Sequence, residues 1–156
     1  MRLWARGAAA TAAWVMASAA AAAAEPPAVR LDDGWARVSG PAETEREACV
    51  AITPGEPLRL VGARSPWAAQ VQLKAPGGVL RLPAGRTTRL EPGGPALRLV
   101  GLRWQVRDGD VIPVSLVFED DGGRRFVRHF GARGRAPERA APGPVAGLSA
   151  GSVPSR

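Results

Sequence analysis

An antiparallel β-sandwich or β-barrel is the fold class that this sequence predicts, on three observations. No segment between residues 28 and 130 has helical periodicity of useful length. The same region divides into eight or nine short runs of apolar or alternating residues. Turn signals rich in Pro, Gly and Asp separate these runs at the short, regular spacing of all-β domains.

The runs follow in order. Ala28 to Val38 reads as extended, with Asp32-Asp33-Gly34 in its middle and Trp35 as an expected core anchor. Gly40 to Glu47 is polar and loop-like, and Ala48 to Thr53 is a strand closed by Pro54-Gly55. Pro57 to Ala63 is the next strand, with Leu58 and Leu60 on one face, and Ser65-Pro66-Trp67 marks a corner. Gln70 to Lys74 follows, and Pro76-Gly77-Gly78 predicts a hairpin back into Val79 to Leu82. Pro83-Ala84-Gly85 turns again before the weakly alternating Arg86 to Glu91.

The stretch Glu91 to Trp104 has the clearest local logic. Pro92 fixes φ, and Gly93 and Gly94 accept the positive φ of a tight turn. Beyond it, Leu97 and Leu99 fall on one side of an extended chain, and Ala96, Arg98 and Val100 on the other. Asp108-Gly109-Asp110 is a turn into Val111 to Glu119, the strongest β-run, in which Pro113 predicts an edge position or a bulge. Asp120-Asp121-Gly122-Gly123 predicts a hairpin, with Arg124 to Phe130 pairing back.

The ends differ from this middle. Arg2 and Arg6 precede a small-residue apolar stretch, and Ala22-Ala23-Ala24 supplies an Ala-x-Ala cleavage site. Residues 1–24 are therefore expected to be a cleaved secretory signal, residues 25–130 a single β-domain, and residues 131–156 a disordered tail. The tail is rich in Ala, Pro, Gly, Arg and Ser, and its few large apolar groups cannot offset the entropy of ordering it. Cleavage removes Arg2 and Arg6, lowering the net charge from +7 to +5, and removes both methionines.

The charge does not describe a nucleic-acid binder. Lys74 is the only lysine, the arginines are scattered, and no basic stripe interleaves with aromatics. Cys49, the sole cysteine, lies in an apolar run and reads as a small buried hydrophobe. His129, the sole histidine, reads as a strand residue near an exposed end. The carboxylate groups Asp32-Asp33, Asp108/Asp110 and Glu119-Asp120-Asp121 lie at turns, where Asp bonds locally. No nucleophile–base pair is expected from this inventory, so the reading is of a protein that is not an enzyme.

The order of segments resembles the periplasmic copper chaperone PCu(A)C domain. The resemblance runs through Asp33-Gly34-Trp35-Ala36-Arg37 and Arg59-Leu60-Val61-Gly62-Ala63-Arg64-Ser65-Pro66. It continues through Val71-Gln72-Leu73-Lys74, Gly77-Gly78-Val79-Leu80-Arg81-Leu82, Pro83-Ala84-Gly85 and Glu91-Pro92-Gly93-Gly94. Leu99-Val100-Gly101-Leu102 and Asp108 to Glu119 complete it, over roughly residues 29–130. It implies a cupredoxin-like Greek-key β-domain, a periplasmic location, and Cu(I) delivery toward cytochrome oxidase assembly. The family binds Cu(I) through two His and two Met, and the matching positions here are Lys74, Leu82, Ala96 and Arg98. None suits a soft cation. The expectation is thus a degenerate member without copper, monomeric, with no nucleic acid and no membrane span after signal cleavage, contacting an envelope protein partner. The alternative is a functional copper chaperone using His129 and Cys49 as non-standard ligands. Lys74 and Arg98 are read first as a solvated face, with a small cationic patch at the rim, where the ligands of the family converge, as the alternative.

Overall fold

The computed structural model describes residues 25–136. The expected signal (1–24) and most of the expected tail (137–156) lie outside the described residues. Nine strands are present: β1 (Val29–Arg37), β2 (Glu45–Pro54), β3 (Leu58–Arg64), β4 (Ala68–Lys74), β5 (Leu80–Leu82), β6 (Thr88–Leu90), β7 (Ala96–Leu102), β8 (Val111–Asp120) and β9 (Arg125–Arg135). They pair in the order β1-β9-β8-β3-β4-β7-β2-β6, and β1 also pairs with β2. That last pairing closes seven strands into a barrel, with β6 added beside β2 and β5 beside β3. All pairings are antiparallel except the short parallel contact of β1 with β9.

The interior follows from strand alternation. Ile112, Val114, Leu116 and Phe118 of β8 are all buried, and Val111, Pro113, Ser115 and Val117 alternate outward. Leu58 and Leu60 of β3, Val50 and Ile52 of β2, and Leu97 and Leu99 of β7 join them in one core. Phe118 stacks on Phe126, its register partner on β9, with ring centroids 5.6 Å apart. Arg128 spans one end of this core, donating to the Pro27 carbonyl at 3.0 Å with its guanidinium over the Phe126 ring.

Asp32-Asp33-Gly34 lies within β1 as a bulge. The register of β1 against β2 slips between Asp32 and Trp35, and Asp33 takes φ = 51°. Asp is among the few residues that accept this conformation readily, and a bulge rotates the side chains that follow. As a result Ala36 faces the core, and Trp35 is not the core anchor expected for it. Trp35 is only half-buried and lines an outer cleft.

Three further expectations need correction. Pro76-Gly77-Gly78 forms a 3-10 turn, and β5 pairs with β3 instead of returning along β4. The free edge of β4 is already taken by β7 over Ala68 to Lys74, and beside β3 Leu82 becomes fully buried. Pro113 lies in the central strand β8, but only where β9 alone pairs with it, because β3 ends opposite Ser115. The Ser65 hydroxyl donates to the Pro113 carbonyl at 2.7 Å and so caps this local edge. The domain also continues past residue 130, since β9 runs to Arg135 with Ala132 fully buried.

This last stretch is small-residue because space is short there. A Cβ on Gly134 would meet the Arg107 carbonyl oxygen at 2.1 Å. Gly134 also donates to the Asp110 carbonyl at 2.7 Å and accepts from Gly109 at 3.0 Å. Its composition resembles a disordered tail, but its cause is close backbone approach. Glu119 ties the adjoining strands, accepting from Arg59 of β3 and from Arg125 of β9 at 2.9 Å. The Arg125 hydrogen bond lowers its carboxyl pKa below the ordinary value, with the Arg59 and Arg125 charges adding to it and burial opposing.

These contacts make three predictions. A chain ending at residue 136 should keep the thermal midpoint of residues 25–156, whereas one ending at residue 130 should unfold at a much lower temperature. Gly134→Ala should cost about 2 kcal/mol or more in denaturant unfolding, as overpacking does. A group with a lowered folded pKa stabilises above its unfolded value, and that contribution disappears as pH falls through the folded value. Chemical denaturation across the acid range should therefore show a loss of stability below the ordinary carboxylate pKa that is smaller in Glu119→Gln.

Candidate functional site

Lys74, Ala96 and Arg98 come together on the ladder between β4 and β7. Lys74 lies opposite Ala96, and Gln72 opposite Arg98, so Lys74 and Arg98 are diagonal neighbours on one face. Leu82 does not join them. It lies on β5 opposite Leu58 of β3, with 1% of its surface exposed. Ala96 is fully buried at the start of β7.

The alternative of a cationic patch at Lys74 and Arg98 is not met, because both cations are paired. Lys74 donates to Glu47 of β2 at 2.8 Å, and Arg98 pairs with Glu45 of the same strand. β2 presents these carboxylates because its first residues alternate Glu-Arg-Glu while pairing with β7, Glu47 directly opposite Arg98. Residues 40–47 had read as a polar loop. Glu45 to Glu47 instead extend β2 by three residues and supply the counter-charges.

Beside this ladder lies an open cleft of about 610 Å³, lined by Trp35, Arg37, Glu45, Glu47, Lys74 and Arg98 among others. Arg46, which also lines it, pairs with Glu43 and donates to the Val38 carbonyl at 3.0 Å. Of the four cations around the cleft, Arg37 alone makes no ion pair among the described residues.

Cys49 and His129 are not brought together as a metal site. Cys49 alternates with core-facing Ala48 and Val50 and lies opposite Trp35, with 2% of its surface exposed. Burial is the main cause that pushes its thiol up to about 11, reinforced by the nearby Glu47 and Glu91 carboxylates. His129 is exposed on β9 opposite Ser115, and its Nδ1 is 2.8 Å from the Ser115 hydroxyl. Sequence reasoning missed this Ser–His pair, because only the β8–β9 register brings residues 115 and 129 together. No Asp or Glu bonds the imidazole among the described residues, so the pair lacks the third group that orients a base for nucleophilic catalysis. No group of three or more His, Cys, Asp or Glu side chains that could hold a metal ion occurs among the described residues. No helix among them is long and apolar enough to cross a membrane.

Comparison with known proteins places this architecture. Residues 29–126 match the family described as "Putative lipoprotein LpqE-like". The chain belongs to the LpqE-like family. A curated relative, "Putative lipoprotein Lxx21020" of Leifsonia xyli subsp. xyli, is 31% identical over 105 residues, 59% of this chain. The matched part spans 63% of that relative's length. Among solved structures, the "Copper-bound PCuAC domain from PmoF2" aligns with a TM-score of 0.59 at 23% identity, covering 70% of this chain and 93% of its own. The "apo PmoF2 PCuAC domain" aligns at 0.57 and 24%, covering 71% and 92%. At these identities the likeness is one of fold. The LpqE-like chain thus has the cupredoxin-like β-barrel of PCuAC domains, as its order of segments implies.

The surroundings of Cys49 give a direct chemical expectation. In the native LpqE-like domain at mildly alkaline pH, a disulfide reagent should leave the thiol unmodified for hours. After denaturation it should react with one equivalent at once. Prompt native reaction would show that β2 opens locally or that the thiol is not shielded.

Proposed function

We propose that this LpqE-like chain is an exported, non-enzymatic binding module of the cell envelope that uses the PCuAC barrel without a Cu(I) centre at the four matching positions. The ion-pair ladder carries this reading. Cu(I) is held by thioether, thiolate or imidazole donors. Here Lys74 and Arg98 offer an ammonium and a guanidinium held by Glu47 and Glu45. Ala96 and Leu82 offer buried hydrocarbon. A copper ion at this ladder would meet two fixed positive charges and no soft donor.

The non-standard ligand set has no comparable support. A Cys49 thiolate would have to form inside β2, and His129 already faces Ser115 on a different part of the barrel. The leader-like residues 1–24 support export, as does the relative named as a lipoprotein.

The deciding experiment is a competitive Cu(I) titration of residues 25–156 against a chromophoric chelator under reducing conditions. The expected result is no competition. Competition at one equivalent would overturn the proposal and favour a copper chaperone with other ligands. A triple variant, Lys74→His, Ala96→His and Arg98→Met, should gain Cu(I) binding, because these three positions share one ladder. Failure of the folded triple variant to gain any would show that the ladder is not where the ligands of the family fall.

A further inference from the structure

We propose that the outward face shared by β1 and β9 docks an extended acidic peptide segment of a partner protein, with carboxylates at alternate positions. This deepens the reading of the chain as a binding module and assigns that module a surface and a class of partner.

The surface is defined by register. In the parallel contact of β1 with β9, Trp35 lies opposite Arg133 and Arg37 opposite Arg135, and the core-facing pair Ala36 and Gly134 lies between them. Trp35, Arg37, Arg133 and Arg135 therefore share the outward side. Val111 of β8 lies opposite Arg133 and extends the same row, with 55% of its surface exposed. The Arg135 guanidinium lies 5.9 Å from the centroid of the Trp35 ring. Each of the three arginines is exposed, and none makes an ion pair among the described residues. This contrasts with the adjoining ladder, where Lys74 and Arg98 are both held by glutamates. The outer surface thus passes from a half whose cations are held by glutamates to a half whose three arginines make no ion pair among the described residues, and Trp35 and Arg37 at the boundary line the cleft.

Charge and spacing together select the occupant. Arg133 and Arg135 are two residues apart on one strand, roughly 7 Å along it, and Arg37 is about 5 Å away on the next. An extended peptide repeats its side chains on one face at the same two-residue interval, so alternate carboxylates match successive guanidiniums. Arginine suits this role because its planar fork binds a carboxylate through two donors. Trp35 and Val111 then provide apolar contact for the intervening side chains. A lipid surface fits less well, since Trp35 is half-buried beneath Arg135 and does not project as an interfacial anchor.

The test is fluorescence anisotropy of a labelled Glu-Ser repeat peptide titrated with residues 25–156, beside a peptide of the same composition with its glutamates in one block. Phosphatidylglycerol vesicles are assayed by co-sedimentation. The repeat peptide is expected to bind more tightly than the block peptide, with an affinity that falls as salt rises. Arg133→Ser with Arg135→Ser should weaken it roughly tenfold or more. The control pair Arg81→Ser with Arg86→Ser removes the same charge from an exposed site elsewhere and should leave binding nearly unchanged. Thermal melts establish that both variants are folded, and Arg133→Lys with Arg135→Lys should bind at an intermediate level if the fork matters. Equal binding of the two peptides, equal loss in the control pair, vesicle binding without peptide binding, or no binding at all would each overturn the proposal. The copper titration is independent of these outcomes, so the two readings can fail separately.

Discussion

The double pairing of β1 is the constraint on which the rest of the structure depends. One short strand runs antiparallel to β2 and parallel to β9, and so joins the two ends of what would otherwise be an open sheet. An open sheet exposes unpaired backbone donors and acceptors along both edges, and closure removes them. The bulge at Asp32–Trp35 allows one strand to serve both neighbours, because the slip re-aims β1 midway along its length. β1 pairs with β2 from Val29 onward, and only after the bulge, from Trp35, does it also meet β9. Closure also fixes which residues face outward. Without β1 in place, Trp35 and Arg37 would not lie beside Arg133 and Arg135, and Cys49 would lose the neighbour opposite it.

Much of this was legible in the sequence. Strand alternation identified the inward residues of β3 and β7, because a residue in a half-buried strand has only two sides to choose from. The hairpin at Asp120–Gly123 was legible because its turn chemistry and both flanking runs agree. The hairpin expected at Pro76–Gly78 failed for a non-local reason: a turn signal says that the chain reverses, not which strand it then joins. Residues 131–135 were misread because small residues required by close approach, as at Gly134, cannot be distinguished by composition from small residues that pack against nothing.

The candidate site was legible only in part. The resemblance located Lys74, Ala96 and Arg98, and their shared ladder confirms that the three positions are neighbours. It did not show that β2 would bring Glu45 and Glu47 against the two cations, because those glutamates lie in a stretch whose polarity reads as loop. A salt-bridge partner is set by register, and register between strands distant in sequence is invisible to local pattern. The same limit hid the Ser115–His129 pair and the clustering of Arg133 and Arg135 with Trp35.

For Cys49 to serve as a non-standard Cu(I) ligand, its thiol would first have to ionise. A thiolate, not a thiol, coordinates metal, and a pKa near 11 leaves on the order of one thiol in ten thousand ionised at neutral pH. Burial and the neighbouring carboxylates both disfavour the charged form. A bound cation could repay that only if other donors converged on it. The charges that act on the thiol are those of Glu47 and Glu91, which raise its pKa, and of Arg37 and Arg135, which lower it. Glu47 is already held by Lys74, and the two arginines would repel the metal. Among the described residues Arg37 and Arg135 make no ion pair, and neither does Glu91. The proposed acidic segment would set carboxylates against the guanidiniums of Arg37 and Arg135, whereas a metal ion would bring a charge of their own sign.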